Sequence, residues 1–331
     1  MGLDIRIKQP ENKVRILQIE NVWKNACVDA FDGESCPRVG VYDEFYRMQT
    51  EFIGDEEEYD SNKEELYEDA GSYLLFDNYN YGSGIQLWFE NDYIFVRISF
   101  PTTYSEIVSF YNFVNMMCTV CGTEEFYRGN GDDLELANVN QINDYIDLSV
   151  DDTLLVLQNI KNRLQDDMTA LTINGVINPI CINLENLVNW GINRPLEDNM
   201  KNVGNLLFNY EVYMHQIQQR DLYYAVFKLY DVEDEETEEE VVNGYICVAA
   251  DCDTILPFEP RSEMYFFIHQ CDMDEINQFY VFLMDSDGES YNIEYEKFLN
   301  IINADELEKY DASHFIVRLS DEEIEEIINE V

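Results

Sequence analysis

The 331 residues are 46% hydrophobic and 14% aromatic, enough to bury a sizeable core in one large domain or two moderate ones, which excludes a disordered chain. Charge is the outlying quantity: 68 Asp and Glu stand against 20 Lys and Arg, a formal net of −48. Such a balance excludes direct binding to nucleic acid or to an anionic membrane surface, and leaves basic proteins, cations or plain solubility as what the charge serves.

In chain order, residues 3–8 alternate as an edge strand, with residues 14–19 as its hairpin partner beyond the Pro10-Glu11-Asn12 turn. Residues 30–46 are mixed around the breakers Gly33, Pro37 and Gly40. An acidic tract then holds nine carboxylates in residues 55–69, including Asp55, Glu56, Glu57 and Glu58. The best-marked unit follows. Residues 85–89 form a strand, Glu90-Asn91-Asp92 turns the chain, and Ile94, Val96, Ile98 and Phe100 alternate along a second strand that Pro101 closes. Thr103 and Glu106 then have the spacing of a capping box. Behind them Ile107, Phe110, Tyr111, Val114, Met117 and Cys121 share one helical face as far as Gly122.

Residues 123–127 read as a short strand ended by Gly129-Asn130-Gly131, and residues 149–164 as a helix capped by Ser149 and Asp152. A hairpin is predicted from 171–173 through Asn174-Gly175 into 176–182, then a short helix over 184–190 stopped by Gly191, and another helix over 203–219. Strands over 223–229 and 245–249 flank a second acidic tract with eight carboxylates in ten residues: Asp231, Glu233, Asp234, Glu235, Glu236, Glu238, Glu239 and Glu240. Further strands are expected over 264–270, 279–284, 290–295 and 314–319, with Asp285-Ser286-Asp287-Gly288 as a hairpin turn and a short helix over 298–302. Ser320 and Glu323 cap a last helix whose Ile324, Ile327, Ile328 and Val331 face inward. The fold class is α+β, with mixed, mainly antiparallel sheets of hairpins and packed helices. The division is into regions 1–148 and 149–331, packed together as one unit.

Chemical signatures are weak. Cys118-Thr119-Val120-Cys121 is a lone CxxC with no second ligand pair, placed at the wrong end of a helix for a reactive thiol, so buried cysteines outweigh a metal or redox site. Asp285, Asp287 and Glu294 half-match a calcium loop, but Leu283 stands where its first Asp belongs. Of the histidines His215, His269 and His314, only His269 lies two residues from a cysteine, Cys271, and neighbours on one strand face point in parallel rather than converging. No nucleophile elbow, phosphate loop or zinc-protease motif occurs. No catalytic residue, metal ligand or cofactor is assigned. The eight cysteines, the absence of a secretory leader and the absence of a long apolar run point to a cytoplasmic protein with reduced thiols.

Several segments carry a resemblance: Asn189-Trp190-Gly191-Ile192-Asn193-Arg194-Pro195, Ile255-Leu256-Pro257-Phe258-Glu259-Pro260, residues 295–302, and Asp311-Ala312-Ser313-His314-Phe315-Ile316-Val317 through Leu319-Ser320-Asp321-Glu322-Glu323. With Phe100-Pro101-Thr102-Thr103 and its helix, they resemble a family of bacterial proteins of similar length, found mostly in streptococci and related Firmicutes and catalogued as a domain of unknown function, number 4299. The resemblance covers most of the chain, implies an intracellular bacterial protein and transfers no catalytic residue.

Two classes of function remain. The first is a non-catalytic binding protein whose acidic tracts engage a basic protein partner, in the manner of toxin-neutralising immunity proteins or nucleic-acid mimics. Its contact residues would be Asp55 to Glu58 and the carboxylates from Asp231 to Glu240, each of which reads more blandly as a solvated loop. The alternative is an enzyme with a Cys/His-containing pocket near Cys271, His269 or His314. Binding outweighs catalysis because no catalytic signature stands behind the second class. Oligomeric state is not legible.

Overall fold

A computed structural model describes residues 2–28, 36–41, 72–77, 82–131, 133–166, 169–173, 175–176, 178–192, 202–218, 222–225, 227–233, 240–260 and 276–330. The chain divides into two compact units, residues 1–219 and 220–331. The helix that spans the 148/149 position packs within the first of them.

The first unit is built on a seven-stranded sheet. Its strands are β1 (Gly2–Lys8), β2 (Pro37–Val41), β3 (Ser72–Asp77), β4 (Ile85–Glu90), β5 (Tyr93–Ser99), β6 (Glu125–Asn130) and β7 (Asp133–Asn138), in the order β2-β3-β4-β5-β1-β6-β7. Every neighbouring pair is antiparallel. The first strand is interior rather than an edge: Leu3, Ile5 and Ile7 are buried on one face, and on the other Asp4 pairs with Arg97 at 3.3 Å and accepts from Gly131 N. Its expected hairpin partner is instead the helix α1 (Ile16–Ala26). Ile19, Val22, Trp23 and Ala26 are all buried, a 3.6-residue period that a reading stopped at residue 19 cannot see. The strand expected over 123–127 and ended at Gly129 is instead the first arm of the β6/β7 hairpin. Gly129 lies inside the strand, where a Cβ would overlap the Asp133 carbonyl oxygen, so glycine is needed there for close approach and not for an ending.

Helix α2 (Tyr104–Cys121) carries the sheet's main covering face, with Ile107, Phe110, Tyr111, Phe113, Val114 and Met117 fully buried and Gly122 in the left-handed region at its end. Cys118, not Cys121, completes that face. Trp23 meets Phe113 edge-on at 6.0 Å and donates its indole N–H to the Phe76 carbonyl at 2.9 Å, joining α1, α2 and the sheet. Helix α3 (Ile142–Asp166) begins well before the expected Ser149 cap. Ser149 is buried in its interior, and its hydroxyl lies 2.9 Å from that of Tyr111. A short hairpin of β8 (Leu171–Ile173) and β9 (Ile180–Ile182), then α4 (Leu184–Trp190) and α5 (Val203–Gln218), complete this unit. Trp190 packs on Tyr210 at 5.0 Å, and α4 stops at Gly191 as the sequence predicts.

The second unit holds two sheets. One has the order β10-β13-β16, from β10 (Tyr223–Tyr224), β13 (Thr254–Pro257) and β16 (His314–Val317); the other has the order β11-β12-β14-β15, from β11 (Lys228–Glu233), β12 (Glu240–Ala249), β14 (Ile276–Met284) and β15 (Ser290–Glu294). The expected single strand over 223–229 is therefore split between sheets. Parallel pairing of β10 with β13 and of β12 with β14 accompanies the antiparallel hairpins. Helices α6 (Tyr295–Ile301) and α7 (Asp321–Glu330) pack on the common core through Tyr295, Phe298, Ile324 and Ile327. Burying each of the two isoleucines of α7 contributes about 1.5–3 kcal/mol. The expected capping box of α7 is present in both halves: Glu323 N–H donates to Ser320 Oγ, and Ser320 N–H donates to the Glu323 carboxylate at 2.8 Å. That bond holds the Glu323 carboxyl below its ordinary pKa. The turn after β14 is held by Asp285, whose Oδ1 accepts from the N–H of Asp287 and of Glu289. Among the described residues, no helix is long and apolar enough to cross a membrane. The architecture is α+β.

Candidate functional site

The second acidic tract begins within β11, at Asp231, and ends at Glu240, the first residue of β12. Antiparallel register runs from Lys228 opposite Tyr245 to Glu233 opposite Glu240, with Asp231 opposite Val242. The last rung of the backbone register thus pairs two acidic residues. Only β12 borders β11, which makes β11 an edge among the described strands. An aromatic row braces the hairpin: Tyr230, half exposed, meets Tyr245 edge-on at 5.7 Å, and Tyr245 stacks on Tyr280 of β14 at 5.2 Å. Asp234, Glu235, Glu236, Glu238 and Glu239 lie outside the described residues, as do Asp55, Glu56, Glu57 and Glu58 of the first tract, the strand expected over 264–270, and the His269 and Cys271 pair. Of the predicted site residues, Asp231, Glu233 and Glu240 are those whose backbone the structure describes.

A different acid is the most deeply held one. Thr103 caps α2 through its side chain, accepting from Glu106 N–H, but the Glu106 carboxylate does not turn back to complete the capping box. It reaches across to the loop before β4. One oxygen accepts from Gly84 N–H at 2.9 Å, and the other from Ser83 N–H at 2.9 Å and from the Thr102 hydroxyl. Ser83 Oγ lies 3.2 Å from the same carboxylate and 2.9 Å from the Ser99 carbonyl, so its single proton serves one of them at a time. Gly82 leaves the space that the carboxylate fills, since a Cβ there would overlap it. Burial pushes the Glu106 carboxyl above its ordinary pKa, against the lowering effect of these donors. The cluster ties the start of α2 to the entry of β4. The sequence signal that could have found it is Glu106 itself, a capping-box residue whose spacing also suits a loop contact.

Of the titratable candidates, His314 is buried at the start of β16, with Nδ1 2.7 Å from Asp311 Oδ1. The same oxygen accepts from the N–H of Ser313 and of His314, which fixes the carboxylate before it meets the ring. Asp311 is the orienting acid that sequence reasoning did not identify for any histidine, although it stands only three residues away. The CxxC thiols behave as core groups: burial pushes Cys118 up to about 12 and Cys121 up to about 11, so neither is a ready nucleophile.

Residues 39–327 match the family described as Domain of unknown function (DUF4299). The chain belongs to this family. No curated protein and no solved structure matches it.

Proposed function

We propose that this DUF4299 protein is a non-catalytic binding protein that engages a basic protein partner, as an antagonist of the immunity-protein or nucleic-acid-mimic kind. The observation that carries the reading is the β11/β12 hairpin, where the register sets Glu233 against Glu240 at the end of an edge strand. Residues 220–331 hold 31 Asp and Glu against six Lys and Arg. Eight carboxylates within the ten residues from Asp231 to Glu240 repel one another, and an oppositely charged surface would relieve them while steering encounter. The alternative enzyme reading has one residue left among the described ones, His314, whose ring is buried and whose Nδ1 is occupied by Asp311.

The test captures partners from the native host at low salt, elutes them with rising salt, and measures association of each purified partner with the wild type and with a variant neutralised from Asp231 to Glu240. The expected variant associates about tenfold or more slowly and with a flatter salt dependence. Partners without net positive charge, or rates that the variant and salt leave unchanged, refute the reading.

A further inference from the structure

We infer that the hollow between α6, β16 and α7 is a docking groove for a short amphipathic segment of a partner protein, one that carries apolar side chains flanked by Lys or Arg. The inference deepens the basic-partner reading and rests on it. The groove lies wholly within the second unit and encloses about 260 Å³. Its floor is apolar: Ile301 at the end of α6, Ile302 and Leu307 beyond it, and Leu319 and Ile327 from the other side. Ile301, Ile302 and Leu307 are half-buried, so the floor is open to a visitor.

The wall is acidic. Glu323, Glu326 and Glu330 of α7 line the groove, and their spacing of three and four residues sets them along one helical stripe. All three are exposed, and the last turn of α7 carries no basic residue. The negative end of the helix dipole therefore adds to Glu326 and Glu330 instead of being offset. Arg318, the basic residue of the lining, points its guanidinium to Asp253 at 3.3 Å and Asp251 at 3.7 Å.

Volume and charge together choose the occupant. At about 260 Å³ the groove has room for one or two anchoring side chains. A second copy of the chain would bring a further formal charge of −48, and an anionic membrane would repel the wall in the same way. An apolar anchor beside Lys or Arg satisfies floor and wall at once, and the basic heads remain in water while their stems lie on the isoleucines.

The experiment titrates the full chain with two fluorescent peptides of equal positive charge: one of Leu and Lys at helical i, i+3, i+4 spacing, and one of Lys and Gly without apolar residues. The Leu/Lys peptide is expected to bind about tenfold or more tightly than the other. Leu307→Ser should remove that preference, and Glu326→Gln with Glu330→Gln, both at exposed positions that leave folding intact, should weaken binding and flatten its salt dependence. Equal affinity for both peptides, or affinities that these variants leave unchanged, overturns the groove while the salt-dependent capture of a basic protein still stands. Binding of neither peptide at low salt overturns the groove, and the capture experiment then decides the basic-partner reading separately.

Discussion

Replacing Glu106 by Gln tests whether the buried carboxyl holds the first unit together and in which protonation state it does so. The wild-type side chain accepts from Ser83 N–H and Gly84 N–H, each at 2.9 Å, and from the Thr102 hydroxyl. Gln keeps one acceptor oxygen, which can serve Gly84, but turns an amide group toward Ser83. One buried backbone donor then loses its acceptor, at a cost of about 1–3 kcal/mol. The pH dependence carries the sharper test. Burial raises the folded-state pKa above its ordinary value, so the folded state binds more protons, and the contribution of Glu106 to stability is full below the unfolded pKa and lost as pH rises through the folded pKa. The stability difference between wild type and Glu106→Gln should therefore be largest near pH 4 and narrow toward pH 8, because every other acid is common to both proteins. Each unit of pKa elevation narrows it by about 1.4 kcal/mol. Urea unfolding followed by tryptophan fluorescence is the assay. Trp23, Trp88 and Trp190 all lie before residue 219, so the signal reports the unit that contains Glu106. A difference that widens between pH 5 and pH 8 would mean that the donors outweigh burial and that the direction argued here is wrong.

Two further outcomes follow from the described geometry. Glu233→Lys replaces a like-charge rung opposite Glu240 with an opposite-charge one, which should stabilise the β11/β12 hairpin by roughly 0.5–1 kcal/mol at low salt. Slower amide exchange in residues 228–233, with the gain fading at high salt, is the readout, and unchanged exchange would show that the rung carries no net repulsion. At pH 8, alkylation of Cys121 by iodoacetamide should run on the order of a hundredfold below that of an unperturbed thiol, and that of Cys118 slower still, given thiol pKa values of about 11 and about 12. Peptide-level mass spectrometry measures both rates, and rapid labelling of either would reopen the CxxC as a reactive pair.

The elements read correctly from sequence are those whose local signals agree with one another. The β4–turn–β5–α2 unit joins alternation, a turn, a strand-closing proline, a cap and a C-terminal glycine, and the Asp285–Gly288 hairpin and the Ser320 cap are as self-contained. Errors arose where a residue's local preference was overruled by a distant neighbour. Gly129 reads locally as a terminator, whereas the neighbouring strand β7 crowds it through Asp133 and makes it an interior strand residue. Ser149 reads locally as a cap, whereas its hydroxyl is engaged by Tyr111, 38 residues away. The parallel pairing of β12 with β14 leaves no local trace at all, since parallel strands are joined by a crossover and not by a turn with its own chemistry.

The same contrast explains what the sequence could say about function. Acidity is legible as a sum, because every Asp and Glu counts wherever it lies. A site is a selection from that sum, and selection needs geometry. Glu106 and Glu326 are the same residue type, yet one is held by Thr102 and by Ser83 and Gly84 of a loop more than twenty positions earlier, and the other stands exposed on a groove wall. The first is structural, because its oxygens are already taken up by hydrogen bonds inside the first unit and it is buried away from solvent. The second is unanswered on its own helix, beside apolar side chains that the fold leaves half-covered. An acidic protein that recognises one basic partner among many needs that combination, since a diffuse negative field attracts every cation alike and only an apolar floor beside the charge can discriminate between them.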